Sequence, residues 1–190
     1  MGIVISQLDT SNINDLGKCD SEFIIDSKIV PYYQNRRVSY SVVKVPEYRK
    51  HYEPEAPEYY SSYIGSPEKT GFLAYVDEQV AGQLLLRNNW NRFAWIEDIR
   101  VDVKYRRQGI GKALLSHGEK WARQKGFPGI MLETQDTNVK ACRFYESYGF
   151  VLGGFDTYLY RAATLYADEI ALFWYLVFDR SQPADISSSL

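Results

Sequence analysis

A chain of 190 residues with 45% hydrophobic and 24% charged content is long enough to bury one substantial core and does not require two. Its net charge of −2, with basic residues spread along the chain, leaves no nucleic-acid footprint and argues against a nucleic-acid substrate. No apolar run reaches the roughly eighteen residues of a membrane span, and the N-terminus lacks the charged start and apolar centre of a signal peptide, so a cytoplasmic protein with no membrane partner is expected.

The two cysteines, Cys19 and Cys142, lie far apart, and the second falls in a predicted helix, so no structural disulfide is expected and a reducing compartment fits. Met1-Gly2-Ile3-Val4-Ile5-Ser6 meets the bare myristoylation pattern, a motif too short to carry weight. Residues 6–20 are polar, and residues 23–33 are apolar enough for a helix or an irregular arm ending near Pro31. From 37 to 45 the residues alternate, with Val38, Tyr40 and Val42 on one face and Ser39, Ser41, Val43 and Val45 on the other, which predicts a strand. Residues 46–67 are rich in glutamate and tyrosine and are interrupted by Pro54 and Pro57, which excludes a long regular element and predicts a loop or short helix.

Residues 71–77 and 80–87 read as a hairpin turning at Asp77-Glu78-Gln79, and 93–103 as the next strand after a turn at 88–92. Apolar positions 110, 114, 115, 121 and 122 predict a helix over 110–125, followed by a short strand at 129–134 and a second helix at 138–148. Residues 150–160 and 170–178 read as the last two strands. Residues 179–190 form a serine-rich tail without structure signals, expected to be disordered, which leaves 1–178 as a single domain.

Between the strand at 93–103 and the helix lies Arg106-Arg107-Gln108-Gly109-Ile110-Gly111-Lys112-Ala113. Two glycines let backbone approach a ligand, and a helix start offers unpaired N–H groups and partial positive charge, so a pyrophosphate is favoured there. A Walker loop does not fit, because the required earlier glycine would fall at Tyr105 or Arg106 and Lys112 is followed by Ala113. A Rossmann fingerprint fails as well, since Leu114 stands where its third glycine belongs.

Arg106, Gly109 and Gly111 in the spacing Arg-x-x-Gly-x-Gly, together with Asn138, Ala141 and Phe144-Tyr145-Glu146-Ser147-Tyr148-Gly149-Phe150, resemble the two signatures of the GCN5-related N-acetyltransferases. Within that family the chain is similar to the streptothricin (nourseothricin) acetyltransferases through Asn89-Trp90-Asn91-Arg92, Ile96-Glu97-Asp98-Ile99, Met131-Leu132-Glu133-Thr134-Gln135-Asp136 and Phe173-Trp174-Tyr175-Leu176. The resemblance implies an α/β (α+β) fold: a mixed central sheet of about six to seven strands flanked by helices, with strands splayed at the acetyl-CoA site. It implies acetyl-CoA as co-substrate and no metal.

Acetyl transfer needs a neutral amine, and an alkyl ammonium of pKa ~10.4 is neutral roughly one part in a thousand at pH 7, so a base or a water chain leading to one is required. The resemblance places that base on the strand holding Glu97 and Asp98. Strand alternation lets only one of them face the acceptor, and Glu97 is favoured, although a bulge there would swap the faces. The other reading makes both of them structural carboxylates that pair Arg92 or Arg100 or cap a sheet end. Tyr145 is implied as the acid that protonates the departing thiolate, whereas pattern alone makes it a core aromatic. Asn138 either contacts the pantetheine arm or caps a helix.

By the same resemblance, the backbone of Ile99, Val101 and Val103 meets the pantetheine, and Arg106, Arg107, Gln108, Gly109, Ile110, Gly111 and Lys112 cradle the phosphates, with Ala141 and Tyr145 nearby. A small cationic acceptor such as streptothricin, with its amine-bearing β-lysine tail, calls for carboxylates and aromatic faces. Candidates are Glu53, Glu55 and Glu58, then Trp90, Asp136, Asp156 and Tyr158, with a solvated acidic loop as the other reading of the first three and a core anchor as that of Trp90. Other amines (a polyamine, an aminoglycoside, a protein N-terminus or lysine) and a non-catalytic acyl-CoA sensor share the cofactor motifs. The apolar run 171–178 either joins a homodimer sheet or closes a monomer core.

Overall fold

The computed structural model describes residues 2–53, 55–163 and 166–178; the predicted tail at 179–190 lies outside them. The elements run β1 (Ile3–Gln7), β2 (Phe23–Gln34), β3 (Arg37–Lys50), α1 (Pro57–Ser61), β4 (Lys69–Val76), β5 (Gln79–Asn88), β6 (Ala94–Val101), α2 (Ile110–Gln124), β7 (Gly129–Gln135), α3 (Val139–Tyr148), β8 (Val151–Asp156) and β9 (Ala171–Val177). Seven strands form one mixed sheet in the order β1-β4-β5-β6-β7-β9-β8, and β2 and β3 form a separate two-stranded ribbon.

Both hairpins turn through two residues at positive φ, Asp77 and Glu78 between β4 and β5, and Asn35 and Arg36 between β2 and β3, the backbone hand that matches strand twist. The segment 23–33, expected to be a helix or irregular arm, is instead a strand. In a two-stranded ribbon each strand keeps one unpaired edge, so Pro31 is tolerated opposite Tyr40 despite having no N–H. The ribbon's register shifts between Ile25 and Ser27, which leaves Pro46 in the irregular stretch of β3 and lets that strand run five residues past the predicted end. β1, read in the sequence only as part of a terminal motif, is an edge strand paired with β4.

The sheet is covered on both faces. Leu84 and Leu86 of β5 join Ile96, Ile110, Leu114, Leu115, Ile130, Leu132, Cys142 and Trp174 in the larger core, under α2 and α3. The alternate residues Leu73 and Leu85 pack with Leu8, Leu16, Tyr60 and Tyr63 on the opposite face. Pairing on both faces explains the uninterrupted Leu84-Leu85-Leu86 run. β9 is hydrogen-bonded to β7 on one side and β8 on the other, so the 171–178 run closes the chain's own sheet and offers no edge to a second copy.

β6 and β7 are the only parallel neighbours among the described strands, and they pair at just three positions, Ala94 with Ile130, Trp95 with Met131 and Ile96 with Leu132. Beyond Ile96 and Leu132 the two strands part and the sheet opens into a fork.

Candidate active site

The glycine loop sits where β6 delivers it. Gly109 caps α2 at φ 87°, and a side chain there would meet open space. The first intrahelical bond of α2 runs from Ala113 N–H to Gly109 C=O at 2.9 Å, so the N–H groups of Ile110, Gly111 and Lys112 precede the ladder and face the loop. The Ile110 side chain is buried in the core, while Arg107, Gln108 and Lys112 are exposed. A Cβ on Gly111 would lie 3.0 Å from Phe144 Cζ, so the second glycine is needed for α3 to pack over the start of α2. The two sequence signatures therefore meet in space.

Arg106 differs from expectation: its Nε donates to Val101 C=O at 3.1 Å, so the side chain braces the loop against β6 and is half-buried. Val103 is also corrected. It belongs to a 3-10 turn after β6, and its N–H is bonded to Asp20 C=O at 3.1 Å. Asp102 N–H bonds back to Ala81 of β5, so alternation turns the backbone groups of Val101 and Ile99 toward the fork. Apart from the Val101 C=O, which already accepts from Arg106, these are strand-edge groups of the kind an extended amide can join.

At the fork the expected alternation fails. Asp98 pairs with Leu85 and Ile96 with Leu86, which leaves Glu97 as the extra residue of a β-bulge. Both carboxylates consequently serve one face. Glu97 receives Arg87 Nε at 2.6 Å and the Tyr63 hydroxyl. Asp98 receives Arg100 Nε at 2.7 Å and the amide of the fully buried Gln83. The structural-carboxylate reading named Arg92 or Arg100; Arg100 is a partner of Asp98, and Arg87 takes the place of Arg92. Burial, then the hydrogen bond to Glu97, holds the Tyr63 phenol far above its ordinary pKa, so it stays a donor.

Tyr145 projects from α3 with its ring packed against Phe144 and Phe150, at centroid distances of 5.5 and 5.8 Å. Burial first, then Cys142, Asp98, Tyr52 and Glu133, pushes its phenol well above the usual tyrosine range. Asn138 is the cap of α3, its side chain accepting from Ala141 N–H at 3.3 Å. Tyr52 bridges the fork: its C=O accepts from Arg100 Nη1 at 3.1 Å and its hydroxyl donates to Gln135 of β7.

Residues 39–150 match the Acetyltransferase (GNAT) family model. The chain belongs to this family. It is 37% identical over 176 residues to streptothricin acetyltransferase A of Bacillus subtilis (strain 168), covering 92% of this chain and all of the relative. The streptothricin acetyltransferase of Escherichia coli is 31% identical over 82% of this chain and 86% of its own length. A Bacillus anthracis str. Ames protein described as a streptothricin acetyltransferase, solved at 1.6 Å with acetyl coenzyme A, superposes with a TM-score of 0.87 and 41% identity, covering 93% of this chain and 100% of that one. The forked mixed sheet is the GNAT fold, and the chain is an acetyl-CoA-dependent N-acetyltransferase.

Of the acceptor residues expected in this GNAT enzyme, the structure gathers few at the fork. Glu53, Glu55 and Glu58 are exposed, and Glu53 pairs with His51 at 2.7 Å; the wall that the 46–67 segment builds beside Glu97 and Asp98 is made of Tyr52, Tyr60 and Tyr63. Trp90 is no core anchor. It is 90% exposed on the turn before β6, at the end of the strand away from the fork. Asp136 is buried and accepts Ile170 N–H at 3.1 Å, tying the end of β7 to the start of β9, so it is not free for an acceptor. Asp156 closes a turn by accepting from Tyr158 and Leu159 N–H, and Tyr158 is exposed.

Sequence reasoning missed Arg87, Tyr63, Gln83 and the pair Glu133 and Tyr160. The signal for Glu133 was present: Ile130 and Leu132 are core, so alternation puts Met131, Glu133 and Gln135 on the other face. Among the described residues no group of three His, Cys, Asp or Glu side chains could hold a metal, and no helix is long and apolar enough to cross a membrane.

Proposed function

We propose that this enzyme acetylates an amino group of the β-lysine moiety of streptothricin in the cytoplasm, through one catalytic domain spanning residues 1–178, and so removes a positive charge from the antibiotic. The observation that carries the reading is the fork itself, with two carboxylates on one face beside it and the open N-terminus of α2 just after β6. The names of the Bacillus subtilis and Escherichia coli relatives support the acceptor.

In this mechanism the coenzyme's pyrophosphate rests on the N–H groups of Ile110, Gly111 and Lys112, and its pantetheine arm lies along Ile99 and Val101. Glu97 takes the proton of the acceptor ammonium, directly or through one water, while Arg87 and Tyr63 fix its orientation. The neutral amine attacks the thioester carbonyl, whose oxygen is polarised by a backbone N–H of the Ile99 to Val101 edge. As the C–N bond forms and the C–S bond breaks, Tyr145 gives its proton to the departing sulfur, and the second proton of the attacking nitrogen passes through solvent to restore the phenol. Asp98, locked by Arg100 and Gln83, holds the bulge in place.

The test is release of free coenzyme A thiol with streptothricin, spermine, kanamycin and a lysine-bearing peptide in parallel, with Glu97→Gln as control. Turnover of streptothricin, reduced at least a hundredfold by Glu97→Gln, is expected on the order of a general-base effect. Turnover only of another amine overturns the acceptor and keeps the family chemistry.

A further inference from the structure

Four carboxylates lie around the acceptor face, and three of them already have a cation. Glu97 has Arg87, Asp98 has Arg100, and Glu169 has the buried Lys50 at 2.7 Å. Glu133 has a tyrosine instead, the Tyr160 hydroxyl, and among the described residues no lysine, arginine or histidine pairs with it. Lys50 reaches Glu133 only as a distant charge, being paired directly with Glu169, so this partly buried carboxylate has no cation in contact and has room for one that the chain does not supply.

Its place in the sheet says where that cation comes from. Glu133 is the first residue of β7 beyond the last pair, Ile96 with Leu132, and Glu97 is the first residue of β6 beyond the same pair. The two acids thus flank the base of the fork. They serve the same face, because Tyr52 links Arg100, on the side of Asp98, to Gln135, on the side of Glu133. Beside Glu133 stands the ring of its hydrogen-bond partner Tyr160, while Lys50 lies over the rings of Tyr52 and Tyr166, at 5.4 and 4.1 Å from their centroids.

We propose that Glu133, positioned by Tyr160, binds a second ammonium group of the acceptor, so that the enzyme selects acceptors carrying two amines over those carrying one. The proposal rests on the acceptor face assigned above and deepens it: Glu97 handles the reacting nitrogen and Glu133 the one that stays charged. Burial raises the Glu133 carboxyl, with Tyr160 and Lys50 lowering it and Glu169 raising it further. An arriving ammonium must therefore favour the ionised acid, and acceptor binding weakens as pH falls through its titration.

Steady-state kinetics of the intact enzyme, Glu133→Gln and Tyr160→Phe test this with streptothricin, lysine amide (two ammonium groups) and Nα-acetyl-lysine amide (one) at saturating acetyl-CoA. Expected for Glu133→Gln are at least a tenfold rise in KM for the diamine the enzyme turns over, kcat and the KM for acetyl-CoA within threefold, an unchanged Tm, and loss of the acid limb of KM against pH. Tyr160→Phe raises the same KM by a smaller factor. A fall in kcat at constant KM, or equal KM changes for the one- and two-ammonium acceptors, overturns the proposal. Should streptothricin fail as substrate, the same comparison on spermine separates that failure from this one. Should no acceptor turn over, streptothricin binding measured by calorimetry must weaken tenfold in Glu133→Gln, and equal binding overturns the proposal.

Discussion

Replacing Tyr145 by phenylalanine deletes one hydroxyl group, and with it the acidic proton, and almost nothing else. The ring keeps its contacts with Phe144 and Phe150, and the helix that carries it is unaltered, so the change in stability should stay within about 0.5 kcal/mol, a Tm shift of roughly 2 °C or less. The catalytic loss is larger. Positioned acids contribute about 10²- to 10⁴-fold, but donation weakens as the acid's pKa rises, and burial holds this phenol well above the ordinary value. The expected drop in kcat is therefore at the lower end, about a hundredfold or ~2.7 kcal/mol, with the KM for acetyl-CoA nearly unchanged. The same burial keeps the acid protonated through the alkaline range, so the wild-type rate should show no loss from Tyr145 up to about pH 10. Thiol release followed at saturating acceptor measures all three quantities. A variant that retains more than a third of the wild-type kcat refutes the role of the phenol, and so does an equal loss of rate and of Tm, which marks a packing residue.

Gly109→Val forces a branched residue toward φ 87°, with a strain of about 1–2 kcal/mol and no clash to relieve, so the loop should relax, turn its N–H groups aside and raise the KM for acetyl-CoA about tenfold while Tm changes little. Lys50→Met strands Glu169 without its buried cation and should cost about 3–5 kcal/mol, a fall in Tm on the order of 10 °C in thermal denaturation. Both cysteine thiols are pushed by burial to about 12, so a disulfide reagent at pH 8 should label neither in the folded protein and both in denaturant, which also keeps the background of the thiol-release assay low. Burial raises the Asp136 carboxyl, so its contribution to stability is present below the unfolded aspartate pKa and is lost as pH rises through the folded one. Asp136→Asn should accordingly equal or exceed the wild-type Tm at pH 8 and lose that advantage near pH 4.

The parts of the fold that were legible are those where a local pattern has one physical outcome. The helix over 110–125 ends one residue early in the structure, and the turn at 77–79, the strand at 129–134 and the helix at 138–148 fall within one or two residues of their predicted bounds. The start of the helix at Ile110, after Gly109, was legible for the same reason, and its first N–H groups lie outside the ladder whatever the rest of the chain does. Residues 23–33 were not, because what decides their state is the partner strand at 37–50, and their apolar content suits helix and strand equally.

The carboxylates show the limit most sharply. Strict alternation puts Glu97 and Asp98 on opposite faces, and nothing in Ile96-Glu97-Asp98-Ile99 marks a bulge, because the extra residue is defined only against the register of β5. Once that register is set by the two-residue turn between β4 and β5 and by Leu84 and Leu86 facing α2, Glu97 has no partner position left and both acids turn to the same side. What a bulge takes from the ladder it returns to the site: two charges side by side where a flat strand allows one. Their cations, Arg87 and Arg100, come from neighbouring positions on β5 and β6, so the acidic face is assembled by strand pairing and no short motif could have announced it.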